Sequence, residues 1–570
     1  MFNLTKTLFS NNKKEKWTLL FICFITFFVN NSVLVPDIME SRNIVTAREM
    51  VYDGHWLVPT MNGDLRLEKP PLPTWISAVT EIISPNNLAL QRAMAGVVAS
   101  FLVFCFYEFA RKILIIPPLV PALLLCTCYN IILAGRTATW DIYCHAFMMG
   151  AIYFLTLALK SQRCQWRLFI SSGIFIGLSI LSKGPVSLYG LLLPFLISYS
   201  IYCRPCLKGK YTAIVTMILL ALIIGCWWYA YIFVYQSAAM AQVAAKESGS
   251  WLNHSVRPWY YYWKFFLETG IWSLLLLTAI FSPLKNKILY TNKKILQPLV
   301  WLFASLILLS ILPEKKSRYL LPILLPACYV MAYLLNTWIE IFNNHSATPT
   351  DKTIFRINSG TIALVVMLLP IATYVFMYKP GYISLPILCA FSIIAWIIAI
   401  ILYFSAIHLH PMRMLWCVTL LFMVAECFVL PSIKNIVNNP DMKSIAQTQF
   451  DKHLTNIPFY YNKSEPLRIE MVYMARKTIR PVNVINLKEL ISKMPCAILT
   501  HKRASKEFPS QLWNYADTIY IGLYDDNYRP KNSHWYKMDF IYYVTILKKK
   551  EFNQNESHGK LSIHHYYSCL

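Results

Sequence analysis

The first residues that could do chemistry lie where the first apolar stretch ends, within VLVPDIMESRNIVTAREM at residues 33–50. Asp37 and Glu40 are three positions apart, so a helix would place both carboxylates on one face. Carboxylates held just outside a membrane can act as a general base or bind a metal ion. The alternative is an interfacial helix whose charges are solvated. Spacing alone leaves both interpretations open.

A proline-rich segment offers a second acid and base. In RLEKPPLPTW, residues 66–75, Glu68 and Lys69 stand directly before a group of prolines. Proline fixes the backbone and removes a hydrogen-bond donor, so the segment is expected to be rigid. It would hold the acid and the base together at the membrane surface, or serve only as a turn.

Ionisable residues also occur at the edges of predicted membrane spans. Asp141 and His145, in GRTATWDIYCHAF, have the i, i+4 spacing of one helix face, and Lys183 lies in LSKGP. Ionisable groups in such positions are candidates for function. The alternative is that they extend towards the interface to remain solvated.

Two later segments add cations and aromatic rings. AKESGSWLNHSVRPWYYYW, at 245–263, contains Glu247, His254 and Arg257 among aromatics that suit an interfacial belt or stacking against sugar rings. PEKKSRYLLP, at 313–322, contains Arg318 and Tyr319 beside two lysines. Arginine forks and lysine point charges suit phosphate oxygens.

The composition identifies the class of protein that must position these residues. The chain has 570 residues, of which 56% are hydrophobic and 14% charged, and its mean hydropathy is +0.45. These values indicate an integral membrane protein. The net charge of +25 does not indicate nucleic-acid binding, because the lysines and arginines fall in short loops between apolar runs. Such residues set topology and meet anionic lipids, so membrane lipids are the expected partners.

Apolar windows of about 20 residues predict about thirteen membrane spans. The N-terminal lysines and the basic loops at 160–167, 203–210 and 283–294 place the N-terminus in the cytoplasm. An odd span count then puts the C-terminus outside, which is the periplasm of a Gram-negative cell. The predicted spans are 17–36, 89–109, 113–134, 142–160, 167–182, 185–203, 212–235, 265–282, 296–312, 318–338, 358–378, 383–404 and 413–432.

The sequence predicts two domains. Residues 1–435 form the membrane domain, whose first outside loop, 37–88, is expected to contain amphipathic helices. Residues 436–570 are more polar, with alternating runs such as TIYIGLYDD between helical stretches. They predict a small soluble α/β domain on the periplasmic side, without a G-x-G-x-x-G nucleotide fingerprint.

The candidate residues share one predicted face of the membrane, which favours an enzyme that uses a lipid phosphate at the outer surface. A transporter or flippase is the rival from another class. It predicts an inverted repeat and ionisable groups at mid-membrane, and neither pattern is visible. A structural protein anchored through residues 440–570 would leave the motifs of the first loop unexplained.

The first outside loop carries a family resemblance. It contains Arg48-Glu49-Met50, the turn Gly54-His55-Trp56-Leu57-Val58-Pro59, and Glu68-Lys69-Pro70. These motifs resemble those of GT-C fold glycosyltransferases that use polyprenyl-phosphate sugars, and most of all bacterial lipid A aminoarabinose transferases and protein O-mannosyltransferases. The resemblance continues through SKG and RPWYYY to SRYLLP. It implies a GT-C membrane fold with a C-terminal outside domain.

The resemblance also implies a reaction, in which a sugar moves from undecaprenyl phosphate to an acceptor in one inverting displacement. The acceptor could be lipid A, another glycan or a secreted protein. A monomer in the bacterial inner membrane is expected, with no cofactor required.

The resemblance further implies roles for the candidate residues. The family's catalytic acid lies in a D-E pair, and an ungapped match puts Glu40 on the second acid and Met39 on the first, with Asp37 two residues early. Either Asp37 or Glu40 would then be the base. A divalent metal (Zn, Mg or Mn) held by Glu68 with Glu247 or His254 is a further possibility. The donor phosphate would be bound by Arg42, Lys69, Lys183, Arg318 and Tyr319, and the site lined by Glu68, Asp141, His145 and Arg257.

Overall fold

The computed structural model describes residues 12–253, 255–285, 293–437, 442–454, 456–528, 531–534 and 536–550. The chain forms two compact units, Met1–Val437 and Asn438–Leu570. The first unit is almost entirely helical, and the second is built on a β-sheet.

Among the described residues of the first unit, nine helices are long and apolar enough to cross a membrane: Leu88–Leu114, Trp140–Lys160, Trp166–Lys183, Tyr211–Tyr235, Trp259–Ser282, Ser317–Asn343, Pro349–Tyr378, Leu385–Ile407 and Pro411–Ile436. The chain is therefore a multi-pass membrane protein. The other four predicted spans coincide with shorter or interrupted helices, so the count of thirteen stays a prediction. In chain order the helices are α1 Asn12–Phe28, α2 Ile38–Tyr52, α3 Leu72–Ile83, α4 Leu88–Leu114, α5 Leu119–Cys126, α6 Tyr129–Gly135, α7 Trp140–Lys160, α8 Trp166–Lys183, α9 Leu188–Cys203, α10 Tyr211–Tyr235, α11 Ser237–Asn253, α12 Trp259–Ser282, α13 Lys293–Ile311, α14 Ser317–Asn343, α15 Pro349–Tyr378, α16 Leu385–Ile407 and α17 Pro411–Ile436.

Helix α8 packs closely against α7 and α10, and this packing positions the residues of the candidate site. A Cβ on Gly177 would lie 2.6 Å from the Ile224 side chain, and one on Gly225 would lie 2.7 Å from that of Ile180. Glycine at these positions lets α8 and α10 approach closely, as small residues do between membrane helices. The start of α7 and the end of α8 lie at the same end of the unit, where Asp141 contacts Lys183.

The first outside loop contains the two predicted helices, α2 and α3, which pack together. Between them lies a short hairpin of β1, Thr60–Met61, and β2, Asp64–Leu65. Helix α2 does not have a solvated charged face, because Glu40, Arg48 and Glu49 are all buried. Its charges are used in internal contacts, so the expectation of an amphipathic surface helix is corrected.

The second unit has the predicted small α/β fold. Its five strands pair in the order β4-β3-β5-β7-β6, with β4, β3 and β5 parallel and β7 antiparallel to both β5 and β6. The strands are β3 Phe459–Asn462, β4 Ile479–Val482, β5 Cys496–Thr500, β6 Ala516–Asp525 and β7 Ile541–Lys549, and the helices are α18 Ile469–Ala475, α19 Leu487–Lys493 and α20 Ala504–Glu507.

Candidate active site

The centre of the site is the contact between Asp141 and Lys183, whose side chains are 12% and 8% exposed. The Lys183 ammonium also lies 5.6 Å from the centre of the Tyr319 ring, at the start of α14. Arg318 interacts electrostatically with the same carboxylate. The neighbouring helices α7 and α8 and the distant helix α14 therefore bring four predicted site residues together at one end of the helical unit.

The segment before α3 adds a second group of cations. Arg66 Nη1 donates hydrogen bonds to the Arg42 carbonyl, at 2.7 Å, and to Thr46 Oγ1, at 3.1 Å. Its guanidinium lies 4.8 Å from the Trp140 ring centre, which ties this segment to the start of α7. Lys69 interacts electrostatically with both Lys183 and Arg66. Arg42 and Lys69 are thus joined to the group around Asp141.

Sequence reasoning missed Arg66 as a site residue. Burial lowers the pKa of Arg66 to about 10, so it still carries its charge at neutral pH. Burial also lowers the pKa of Lys69, although Glu247 opposes this shift. The signal that could have identified Arg66 is its place in the rigid segment that contains Glu68 and Lys69.

Two arginines of the site have unused donors. The Nε atoms of Arg42 and Arg318 are buried and have no hydrogen-bond partner among the described residues. A buried donor without a partner is costly, and an anion supplied from outside would satisfy it. Phosphate oxygens match the fork geometry of a guanidinium. The site therefore has the donor set of a phosphate-binding pocket.

Glu68 and Glu247 are paired with lysines across two segments. Glu68 Oε1 lies 3.5 Å from Lys246 Nζ, and Glu247 Oε1 lies 3.7 Å from Lys69 Nζ. These pairs link the segment before α3 to α11. A divalent cation at these two carboxylates would have to replace both lysine contacts. His254, the third predicted ligand, lies outside the described residues.

Another group of metal-ligating side chains occurs at the end of α2. Among the described residues, Glu49, Asp53 and His55 bring ligand atoms within 4.8 Å of one another. Glu49 Oε2, however, accepts hydrogen bonds from Thr60 Oγ1, at 2.5 Å, and from the Gly63 N–H, at 3.1 Å. Glu49 thereby fastens the β1–β2 hairpin to α2.

The two candidate bases have different environments. Asp37 is exposed and caps α2, where its Oδ1 accepts hydrogen bonds from the N–H groups of Met39 and Glu40. The Glu40 carboxylate is fully buried and paired with Arg92, and its Oε1 also accepts from the Ala138 N–H at 2.9 Å. A carboxylate so enclosed is not placed to take a proton from a substrate. The interpretation of Glu40 as a base is corrected on this ground.

The remaining predicted residues lie around the centre. His145 is buried one helical turn after Asp141, and its Nδ1 has no partner in the described part of the chain. Arg257 is exposed, and its backbone N–H donates to the Pro313 carbonyl at 3.3 Å. Lys315 Nζ in turn donates to the Arg257 carbonyl at 3.2 Å. These bonds hold Arg257 beside the segment that leads into Arg318.

Comparison with known proteins finds a family match over part of this chain and several relatives. The family described as Dolichyl-phosphate-mannose-protein mannosyltransferase matches residues 68–229. A protein of Aquifex aeolicus is 27% identical over 57% of this chain and 64% of its own length. The undecaprenyl phosphate-alpha-4-amino-4-deoxy-L-arabinose arabinosyl transferase 1 of Pseudomonas fluorescens is 24% identical over 68% of this chain and 70% of its own length.

The fold has a solved counterpart. This chain matches the crystal structure of ArnT from Cupriavidus metallidurans bound to undecaprenyl phosphate. The match covers 93% of this chain and 97% of the ArnT chain, with a TM-score of 0.63 and 14% sequence identity. The predicted GT-C architecture with a small C-terminal domain is thereby confirmed. The chain is a multi-pass membrane protein with the GT-C fold, similar to the aminoarabinose transferases that use undecaprenyl phosphate.

Proposed function

We propose that this chain is a glycosyltransferase that moves a sugar from an undecaprenyl-phosphate-linked donor to a glycolipid acceptor such as lipid A. The reaction takes place at the end of the helical unit that contains Asp141 and Lys183, which we assign to the periplasmic side. The N-terminus is then cytoplasmic. The relatives that act on an undecaprenyl phosphate sugar support the donor class.

One observation carries the proposal: two half-buried arginines within a group of cations have buried Nε donors that no described residue uses. Arg42 and Arg318 have Nε atoms without partners among the described residues. Lys69 interacts electrostatically with both Arg66 and Lys183. This arrangement suits a phosphate that gains charge as the sugar leaves it.

The transfer is a single displacement. The acceptor oxygen attacks the anomeric carbon of the sugar, and the bond from that carbon to the phosphate oxygen breaks. The electron pair stays on the lipid phosphate, where Arg42, Lys69 and Arg318 offset the new charge. Asp37 takes the proton from an acceptor hydroxyl, since its carboxylate is exposed while that of Glu40 is enclosed. The contact between Asp141 and Lys183 positions the ammonium near the phosphate.

The proposal is tested by mass spectrometry of lipid A from a strain that lacks the chain. We expect the loss of one sugar-sized mass, its return with the wild-type chain, and no return with R42Q/R318Q. A matched control is R163Q/R167Q, which removes two exposed arginines outside this site. Lipid A that is the same in all strains would contradict the glycolipid acceptor.

A protein acceptor is the second candidate, and the family match over residues 68–229 favours it. It predicts that periplasmic proteins, rather than lipid A, lose a sugar in the deletion strain. If neither lipid A nor any periplasmic protein loses a sugar, the transferase proposal itself is wrong.

A further inference from the structure

The other end of the helical unit contains a basic cleft of about 600 Å³. It lies between the end of α7, the end of α9 and the start of α10. Helix α7 has 21 residues, so its two ends are about 30 Å apart. Asp141 is at one end and Lys160, in the cleft, is at the other. The cleft is thus separate from the candidate active site, and it lies between two loops predicted to be cytoplasmic.

Of the described residues that line the cleft, four are cations and none is a carboxylate; the cations are Lys160, Arg204, Lys208 and Lys210. Arg204 and Lys208 are exposed, and neither side chain makes an ion pair or hydrogen bond within the described ranges. Lys210 is buried, and its Nζ donates to the carbonyls of Leu159, at 2.8 Å, and Ser161, at 2.6 Å. Its charge therefore caps the last turn of α7 and adds a positive field that no acid in the lining offsets.

The floor of the cleft has an unused hydrogen-bond donor. Gln297 lines the cleft and is 4% exposed, and its Nε2 has no partner among the described residues. An amide buried in this way costs free energy unless something outside the chain accepts its hydrogen bond. Because cations line the same cleft, the acceptor that suits this position best is an anion. The wall between them is apolar, with Leu159 and the Tyr199 ring among its residues.

We propose that this cleft binds the phosphate group of an anionic membrane lipid. The phosphate lies on Arg204 and Lys208 and accepts from Gln297, while the glycerol end and one acyl chain follow the apolar wall. Basic pockets between membrane helices on the cytoplasmic side bind anionic headgroups in this manner. The bound lipid would tie the ends of α7, α9 and α10 to the inner leaflet. This inference does not depend on the proposed transfer reaction.

The test uses the full chain in detergent, with dioleoyl phosphatidylglycerol as the probe and native mass spectrometry to count bound lipids. R204Q/K208Q removes the two exposed cations, and Q297L removes the amide at similar volume. The matched control R163Q/R167Q removes two exposed arginines that do not line the cleft, one from the adjacent loop and one from the first turn of α8. We expect R204Q/K208Q to bind the lipid about thirtyfold more weakly at this site, and the control to bind it as wild type does.

Three further outcomes decide the interpretation. Dioleoyl phosphatidylcholine, which has no net charge, should bind more weakly than phosphatidylglycerol. If inorganic phosphate alone raises the melting temperature of wild type but not of R204Q/K208Q, the anion site stands and its ligand is soluble phosphate. Equal phosphatidylglycerol binding by wild type, R204Q/K208Q and Q297L, with all three folded, would overturn the proposal.

Discussion

Arg92 donates two hydrogen bonds to Glu40, from Nε to Oε1 at 2.8 Å and from Nη2 to Oε2 at 2.6 Å, and both side chains are almost completely buried. Arg92 Nη1 also donates to the carbonyls of Asn31 and Leu34, both at 2.7 Å. The pair thereby ties α2 and α4 to the chain that leaves α1. Glu40, which the ungapped match aligns with the second acid of the family's catalytic pair, therefore stabilises the fold.

Replacement of Glu40 by glutamine should therefore reduce stability. The substitution leaves the Arg92 charge buried without its partner, which costs about 3–5 kcal/mol. Thermal unfolding in detergent and the yield of folded protein would measure the loss. R92Q should behave similarly, and the double variant should lose less than the sum of the two. If E40Q folds as wild type does and yet transfers no sugar, Glu40 acts in the reaction and its role is not confined to the fold.

Replacement of Asp37 by asparagine separates capping from catalysis. Asparagine caps a helix about as well as aspartate, so D37N should unfold at the wild-type temperature. Its turnover should fall by about 10²–10⁴-fold, because the proton acceptor is gone. D37A is the matched comparison, since it should lose the cap as well, at about 1 kcal/mol. Wild-type turnover by D37N would exclude Asp37 as the base.

Binding of undecaprenyl phosphate should weaken at alkaline pH. Burial lowers the pKa of Lys69, so its ammonium loses the proton at a lower pH than an ordinary lysine with a pKa of 10.5. The charged form holds the phosphate, so affinity is full at neutral pH and falls as the pH rises through the lowered pKa of Lys69. K69R keeps its charge and should retain affinity at the pH where wild type loses it. Identical pH profiles for the two proteins would show that Lys69 does not hold the phosphate.

Removal of divalent metal should leave transfer intact. Glu68 and Glu247 are each paired with a lysine, so neither carboxylate needs a cation to offset its charge. We expect the same turnover before and after treatment with EDTA, checked alongside the metal content of the purified protein. Activity that disappears with EDTA and returns with Zn²⁺ would mean that both carboxylates exchange their lysine partners for a metal.

Hydropathy alone could predict where most helices lie, because a span leaves a long apolar run in the sequence. It could not show that residues 113–134 are interrupted, since the break at Thr127 and Cys128 lies within a continuous apolar run. The same limit applies to side-chain pairs. Nothing in the local spacing indicates that Glu40 contacts Arg92, which is 52 positions away.

The sequence predicts which residues belong to the candidate site better than it predicts how those residues contact one another. Topology places Asp141, Lys183 and Arg318 at one membrane face, because the loops between spans alternate sides. Whether these side chains come into contact depends on how three helices pack against one another, and the hydrophobic periodicity of each helix does not predict that packing. Arg66 was not predicted, although it lies beside Glu68 and Lys69, because an arginine in a loop resembles any solvated charge until its burial is known.

The pairs that join α11 to the segment before α3 have a consequence for how large substrates enter. Glu68 with Lys246 and Lys69 with Glu247 are separated by 3.5 and 3.7 Å, and the Lys246 side chain is 75% exposed. Exposed ion pairs contribute about 0–1 kcal/mol each and are weakened by salt. These ion pairs alone hold α11 weakly, but Ala239, Met240 and Val243 of the same helix also pack against the apolar cluster that contains Leu67 and Trp228. A bulky acceptor that displaces α11 must separate both kinds of contact, and the same movement would uncover Glu68 and Lys69 together.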